Sequence, residues 1–166
     1  MKKQIKNILI IVVFACLCLS SRVYATQTTA PLVVSATVLS VCGVAATTLA
    51  FGNYTATNTS PADATATITA ICTSGVAYTL ALDAGTGTGA TVAARILTFG
   101  GNKLNYTLYT TSGHSTVWGD GTLSTSTQGG TAALVPQTYT VYGRIAAAQQ
   151  PAAGVYADTV TVTLTY

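Results

Sequence analysis

The sequence has 166 residues, a formal net charge of +3 at pH 7, 7% charged residues and no glutamate. Four of its cations, Lys2, Lys3, Lys6 and Arg22, fall in the first 25 residues, leaving Arg95, Lys103 and Arg144 against Asp63, Asp83, Asp120 and Asp158, three positive groups against four negative ones. Charges this sparse exclude the cationic track that follows a nucleic-acid backbone and a polybasic membrane-binding surface.

The chain opens with the three parts of a secretory signal. Lys2, Lys3 and Lys6 form the positive region, an apolar run follows from Ile8 to Leu19, and Val23-Tyr24-Ala25 places small residues where a signal peptidase reads them. The apolar run is too short, and wrongly flanked, for a stable membrane span. Cleavage after Ala25 is expected, leaving residues 26–166 as one domain long enough to bury a core. Cys16 and Cys18 leave with the signal. A lipid-acceptor role for Cys16 fits poorly, because Phe14 is bulky and the apolar run continues past it. Cys42 and Cys72 remain as an even pair in an oxidising compartment and read as a disulfide. Closing a loop of about 30 residues, it is worth roughly 3.5 kcal/mol in the chain-entropy account. Two cysteines and one histidine do not make a zinc site.

Residues 26–30 are polar, and after Pro31 the residues Leu32, Val34, Ala36 and Val38 alternate with the parity of Cys42. Pattern alone favours an ordinary first strand; the sharper reading is a strand that leaves its own fold to complete another. Period-two stripes continue along the chain. Ala66, Ile68, Ala70 and Cys72 share a face, as do Val76, Tyr78, Leu80 and Leu82, then Leu104, Tyr106 and Leu108, then Tyr139, Val141 and Ile145. Residues 159–166 alternate without a break, so Val160, Val162, Leu164 and Tyr166 can face a core while four threonines face water. Glycine-rich turns are expected at 83–89 and 100–102, and a longer loop from Trp118 through Gly130. No window after the signal carries the spacing of an amphipathic helix. The pattern is all-β, a sandwich of about seven strands.

Candidate chemistry is thin. His114, flanked by Ser112 and Ser115, lacks any signature around a nucleophile and reads as a solvated loop histidine. Asp83 and Asp120 suit turn capping better than a hydrolytic carboxylate pair, and Asp120-Gly121 falls short of a calcium loop. The glycines after Asp83 lack the lysine and strand-to-helix context of a phosphate cradle. Trp118 offers a sugar-stacking face, but the stronger reading has it packing down to pin its loop. No catalytic residue, metal or cofactor is assigned.

One ordered set of motifs runs through the chain. Phe51-Gly52-Asn53-Tyr54 follows the first cysteine, and Ile71-Cys72-Thr73-Ser74-Gly75 surrounds the second. Tyr78 through Gly85, Arg95, Leu104 through Tyr109 and Trp118-Gly119-Asp120-Gly121 come next; Tyr142-Gly143-Arg144-Ile145 and Gly154 through Val160 close the series. This order resembles the spore coat protein U family, which includes subunits of archaic, Csu-type chaperone–usher pili. The resemblance implies an incomplete immunoglobulin-like β-sandwich, completed first by a strand from a periplasmic chaperone. At an outer-membrane usher, the N-terminal extension of the next subunit then takes its place. It implies residues 26–40 as the extension, with Leu32, Val34, Ala36 and Val38 as donor side chains, and residues 41–166 as the pilin domain. It also implies that the C-terminal strand, through Val160, Val162, Leu164 and Tyr166, pairs with the chaperone. The expected protein is an exported, non-enzymatic fibre subunit acting in adhesion and biofilm formation, with chaperone, usher and neighbouring subunits as partners, no nucleic acid, and membrane contact only through the usher. The rival expectations are a coat component that does not polymerise and a carbohydrate-binding adhesin module.

Overall fold

The structure, a computed structural model, describes residues 24–57 and 59–166. The expected signal therefore lies almost wholly outside the described residues. The chain divides into two units, Met1–Thr37 and Val38–Tyr166. In the first, residues 24–37 form no strand and are exposed throughout.

The second unit holds eight strands and, among the described residues, no helix: β1 (Cys42–Ala46), β2 (Ala62–Cys72), β3 (Ala77–Leu82), β4 (Arg95–Phe99), β5 (Asn102–Tyr109), β6 (Gln128–Thr131), β7 (Gln137–Ile145) and β8 (Val162–Thr165). They form a five-stranded sheet, order β1-β2-β7-β5-β4, and a three-stranded sheet, order β6-β3-β8. Every pairing between these strands is antiparallel.

The alternating stripes build the core. Ile68 and Ala70 from β2, Tyr78, Leu80 and Leu82 from β3, Leu104, Tyr106 and Leu108 from β5, and Val141 and Ile145 from β7 are all buried. Burial of this apolar surface between the sheets is the main force holding them together. The disulfide joins Cys42 to Cys72 where β1 begins and β2 ends, with their Cα atoms 4.0 Å apart. This end is the disulfide pole. The far pole lies where Ile145 of β7 meets Ala62 of β2 and Tyr106 of β5.

Three expectations are corrected. The first strand is not Leu32–Cys42 but Cys42–Ala46; residues 24–41 carry no strand. An extra strand, β6, lies in the expected Trp118–Gly130 loop, and its Gln-Gly-Gly-Thr sequence has no apolar alternation to announce it. It is admitted by close approach: a Cβ on Gly129 would stand 2.2 Å from the Tyr78 carbonyl oxygen. The last strand begins at Val162, because the preceding backbone is engaged elsewhere. Asp83 Oδ1 accepts from Thr161 N at 2.9 Å and Asp158 Oδ1 from Thr159 N at 2.8 Å. Val160, Val162 and Leu164 are half-buried, whereas Tyr166, beyond the final ladder pair, is 59% exposed.

Candidate strand-binding groove

Each sheet ends in a strand with a bare edge on the same side of the sandwich. β1 pairs with β2 and β8 pairs with β3; neither has a second strand partner among the described residues. After β1 the chain runs through residues 47–56 without joining a sheet. Thr47 holds it to β2 through Thr47 N to Thr67 O and Thr67 N to Thr47 Oγ1, both 2.9 Å. Farther on, the Tyr54 hydroxyl donates to Ala146 O at 2.9 Å. Leu49 and Phe51 turn inward over β7, where Gly143 makes room for them: a Cβ there would lie 2.9 Å from both side chains. Phe51 meets the Tyr106 ring edge-on at 5.9 Å.

The facing wall is the stretch leading into β8. Ala157 exchanges backbone hydrogen bonds with Thr98 of β4 at 2.9 and 3.1 Å, Tyr156 packs on Phe99, and the Tyr156 hydroxyl donates to Ala152 O. Between the walls lies a cleft of about 300 Å³ whose lining includes Leu49, Ile68, Leu82, Leu108, Val141 and Val160. It shares Thr48, Leu49, Phe51, Leu97 and Asp158 with a wider cleft of about 950 Å³ bounded by residues 48–56 and 151–158. The two form one groove over the core. A groove over an apolar core, beside strand edges without a second partner, suits an extended peptide that binds by strand addition: its backbone pairs with an edge and alternate side chains enter the floor.

A polar knot closes one side of the floor. The Tyr106 hydroxyl donates to Asp158 Oδ2 at 2.7 Å; Asp158 Oδ1 accepts from Thr86 N and Thr86 Oγ1 at 2.7 and 2.9 Å. Burial drives the Tyr106 hydroxyl far above its ordinary pKa, and the Asp158 carboxylate pushes the same way, so it stays a donor. Burial also pushes Asp83 upward, but hydrogen bonds from Thr161 and Gly85 and the Arg95 charge outweigh it and hold the carboxyl below its usual value. Fully buried Arg95 donates from Nε to Asp83 O at 2.8 Å and from Nη2 to Leu82 O and Trp118 O at 3.1 and 3.0 Å. Its Nη1 has no partner. Desolvation lowers its pKa, opposed by Tyr106 and the nearby carboxylates.

The other candidate residues fall into structural places. Trp118 is fully buried, its indole donating to Leu80 O at 3.1 Å, so it pins its loop. Asp83 and Asp120 cap their own turns, accepting from Gly85 N and Thr122 N at 2.9 Å. His114 is not a solvated loop residue. Its side chain is 11% exposed, packed edge-on against Tyr109 and Tyr142, with Nε2 3.7 Å from Asp63 Oδ1. Asp63 in turn accepts a bidentate pair from Arg144, both bonds 2.7 Å. The donor candidates Leu32, Val34, Ala36 and Val38 are exposed, at 87%, 83% and 82% for the three larger ones. Sequence reasoning named neither Leu49 nor the Asp158–Tyr106 pair as groove residues. The alternation of Leu49 with Phe51 was the available signal, although no strand forms there.

An all-β sandwich with one open long edge is the class of protein that fold and groove define. The Spore Coat Protein U domain matches residues 28–163, and the chain belongs to that family. No curated protein matches. Among solved structures, the chain resembles part of the CsuC–CsuE chaperone–tip adhesion subunit pre-assembly complex from the archaic chaperone–usher Csu pili of Acinetobacter baumannii. The TM-score is 0.56 at 24% identity over 78% of this chain. The match spans 40% of that chain.

Proposed function

We propose that this protein is a pilin-like structural subunit, exported to the periplasm and polymerised by donor-strand exchange into an archaic chaperone–usher fibre on the cell surface, serving adhesion and biofilm formation. The groove between residues 46–56 and 151–162 carries the reading. It lies over core side chains and beside two strand edges without a second partner among the described residues, an arrangement that otherwise invites aggregation. Leu32, Val34, Ala36 and Val38 supply an alternating apolar set outside the sandwich, suited to fill the groove of another copy. A periplasmic chaperone would cover the groove beforehand, pairing with the edge that carries Val160, Val162, Leu164 and Tyr166, and an outer-membrane usher would catalyse the exchange. Because each donor enters the next groove, the contact is heterologous and open-ended and builds a fibre. The role needs no catalysis or cofactor.

Deletion of residues 26–38 tests the reading. The truncated chain should accumulate in the periplasm as a chaperone complex yet yield no fibres by electron microscopy. Fibres of normal length from the truncated chain would contradict it.

A further inference from the structure

Thr73 fixes the root of the N-terminal extension. Its hydroxyl accepts from Val41 N at 3.1 Å and lies 3.3 Å from Leu39 O, and its backbone N–H donates to Val41 O at 2.9 Å. The chain is thus tied to the disulfide pole as far out as Leu39, one residue from the last proposed donor side chain, Val38. Consecutive Cα atoms are about 3.8 Å apart, so no slack linker separates a donated strand from the body that donates it.

The direction of that strand follows from the ladder. β8 runs from Val162, paired with Leu82, to Thr165, paired with Thr79, and so travels from the far pole toward the disulfide pole. A donor antiparallel to β8, the more stable pairing and the one made by every pair of the eight strands, runs the other way and emerges at the far pole. There the wider cleft is bounded by residues 48–56 and 151–158, and its rim carries Val155, 83% exposed, with Phe99, 43% exposed, packed on Tyr156 beside it. At the disulfide pole, the loop after Ala132 carries Leu134 and Val135, 91% and 61% exposed; Ala132 itself bonds Gly75 and Val76 beside Cys72. Neither surface carries a charged residue across 70–78, 132–138, 99–102 or 151–157.

We infer that these two apolar surfaces form a second contact between successive copies: Leu134 and Val135 of the donating subunit pack against Val155 at the groove rim, and Phe99 beside it, of the accepting subunit. This rests on the donor-strand reading above and adds to it a stacked, pole-to-pole joint. The partner is a second copy of this chain, because the strand anchored at Thr73 delivers one pole directly to the other.

Engineered cysteines test it in fibres assembled with the chaperone and usher. The Leu134→Cys, Val155→Cys double variant should give a ladder of disulfide-linked subunits on mild oxidation, while each single variant gives none. Fibres without a ladder, or a ladder only from Leu134→Cys with Tyr166→Cys, would overturn the joint while leaving donor-strand assembly intact. Failure of the unaltered chain to form fibres would overturn both. If the cysteine pair blocks folding, Leu134→Asp or Val155→Asp gives an independent reading. Either should speed detergent-induced dissociation of fibres by about tenfold, as expected for charging a buried apolar contact. Unchanged dissociation would refute the contact.

Discussion

The sandwich has one side that is stitched shut and one that is open. On the closed side, residues 110–127 bridge the sheets: Trp118 N donates to Leu108 O of one sheet at 2.8 Å, and Leu82 N of the other donates to Gly119 O at 3.1 Å. The indole of Trp118 and the guanidinium of Arg95 fill the space between, both fully buried and both satisfying β3 carbonyls. On the open side, β1 and β8 leave their outer edges bare above a groove floored by Ile68, Leu108 and Val141. The closed side ties the two sheets into one body, and the open side leaves, on the reading proposed above, a site for an added strand. Stability and assembly are thereby assigned to different residues and can be perturbed separately.

The largest effect should come from the closed side. Trp118→Ala removes a fully buried indole and frees the Leu80 carbonyl, costing about 3–5 kcal/mol. Chemical denaturation of the chain should show it whether or not a donor strand is present. Cys42→Ser comes next, with a loss of roughly 3.5 kcal/mol from the unfolded-state constraint. Its checks are a lowered melting temperature and reduced periplasmic yield. On the open side the ranking of effects inverts. Val160 is half-buried beside the groove, so Val160→Asp should cost the unassembled chain only about 1 kcal/mol. It should nevertheless abolish fibres on electron microscopy, because the charge would be buried by the incoming strand.

The smallest effect lies on the outer face of the larger sheet. Arg144 holds the Asp63 carboxyl below its usual pKa, chiefly by the bidentate hydrogen bonds. The folded pKa is depressed, so the stabilisation is present above the ordinary carboxylate value and is lost as pH falls through the lower, folded one. Asp63 is 47% exposed, and solvent screening limits the pair to about 0.5 kcal/mol. Arg144→Gln should lower the melting temperature slightly at neutral pH and leave it nearly unchanged in acid.

Strands with clean period-two stripes were legible in the sequence: Tyr78, Leu80 and Leu82 in β3, and Leu104, Tyr106 and Leu108 in β5, are buried as the alternation demands. The cysteine pairing was legible from count and compartment. β6 was not, because its glycines serve close backbone approach and carry no side-chain pattern. The extent of β8 was overestimated because alternation in Thr159–Thr161 says nothing of Asp83 and Asp158, which capture that backbone through side-chain oxygens. The groove depends on which edges lack a partner and on how residues 47–56 are held, both long-range facts that no local stripe encodes. His114 misled for a related reason: its Gly/Ser/Thr neighbours read as solvated loop, while Tyr109 at the end of β5 and Tyr142 on β7 provide its packing.

The central claim is that the open edge is a strand-acceptor site. A synthetic peptide of residues 26–40, added to the chain lacking residues 26–38, addresses it in a thermal melt. A saturable, one-to-one rise in melting temperature is predicted, reaching about 2.7 kcal/mol of stabilisation at a hundredfold excess over Kd. The same peptide carrying Val34→Asp should give little or none. No stabilisation by the unaltered peptide at any concentration, with the truncated chain folded, would contradict the account.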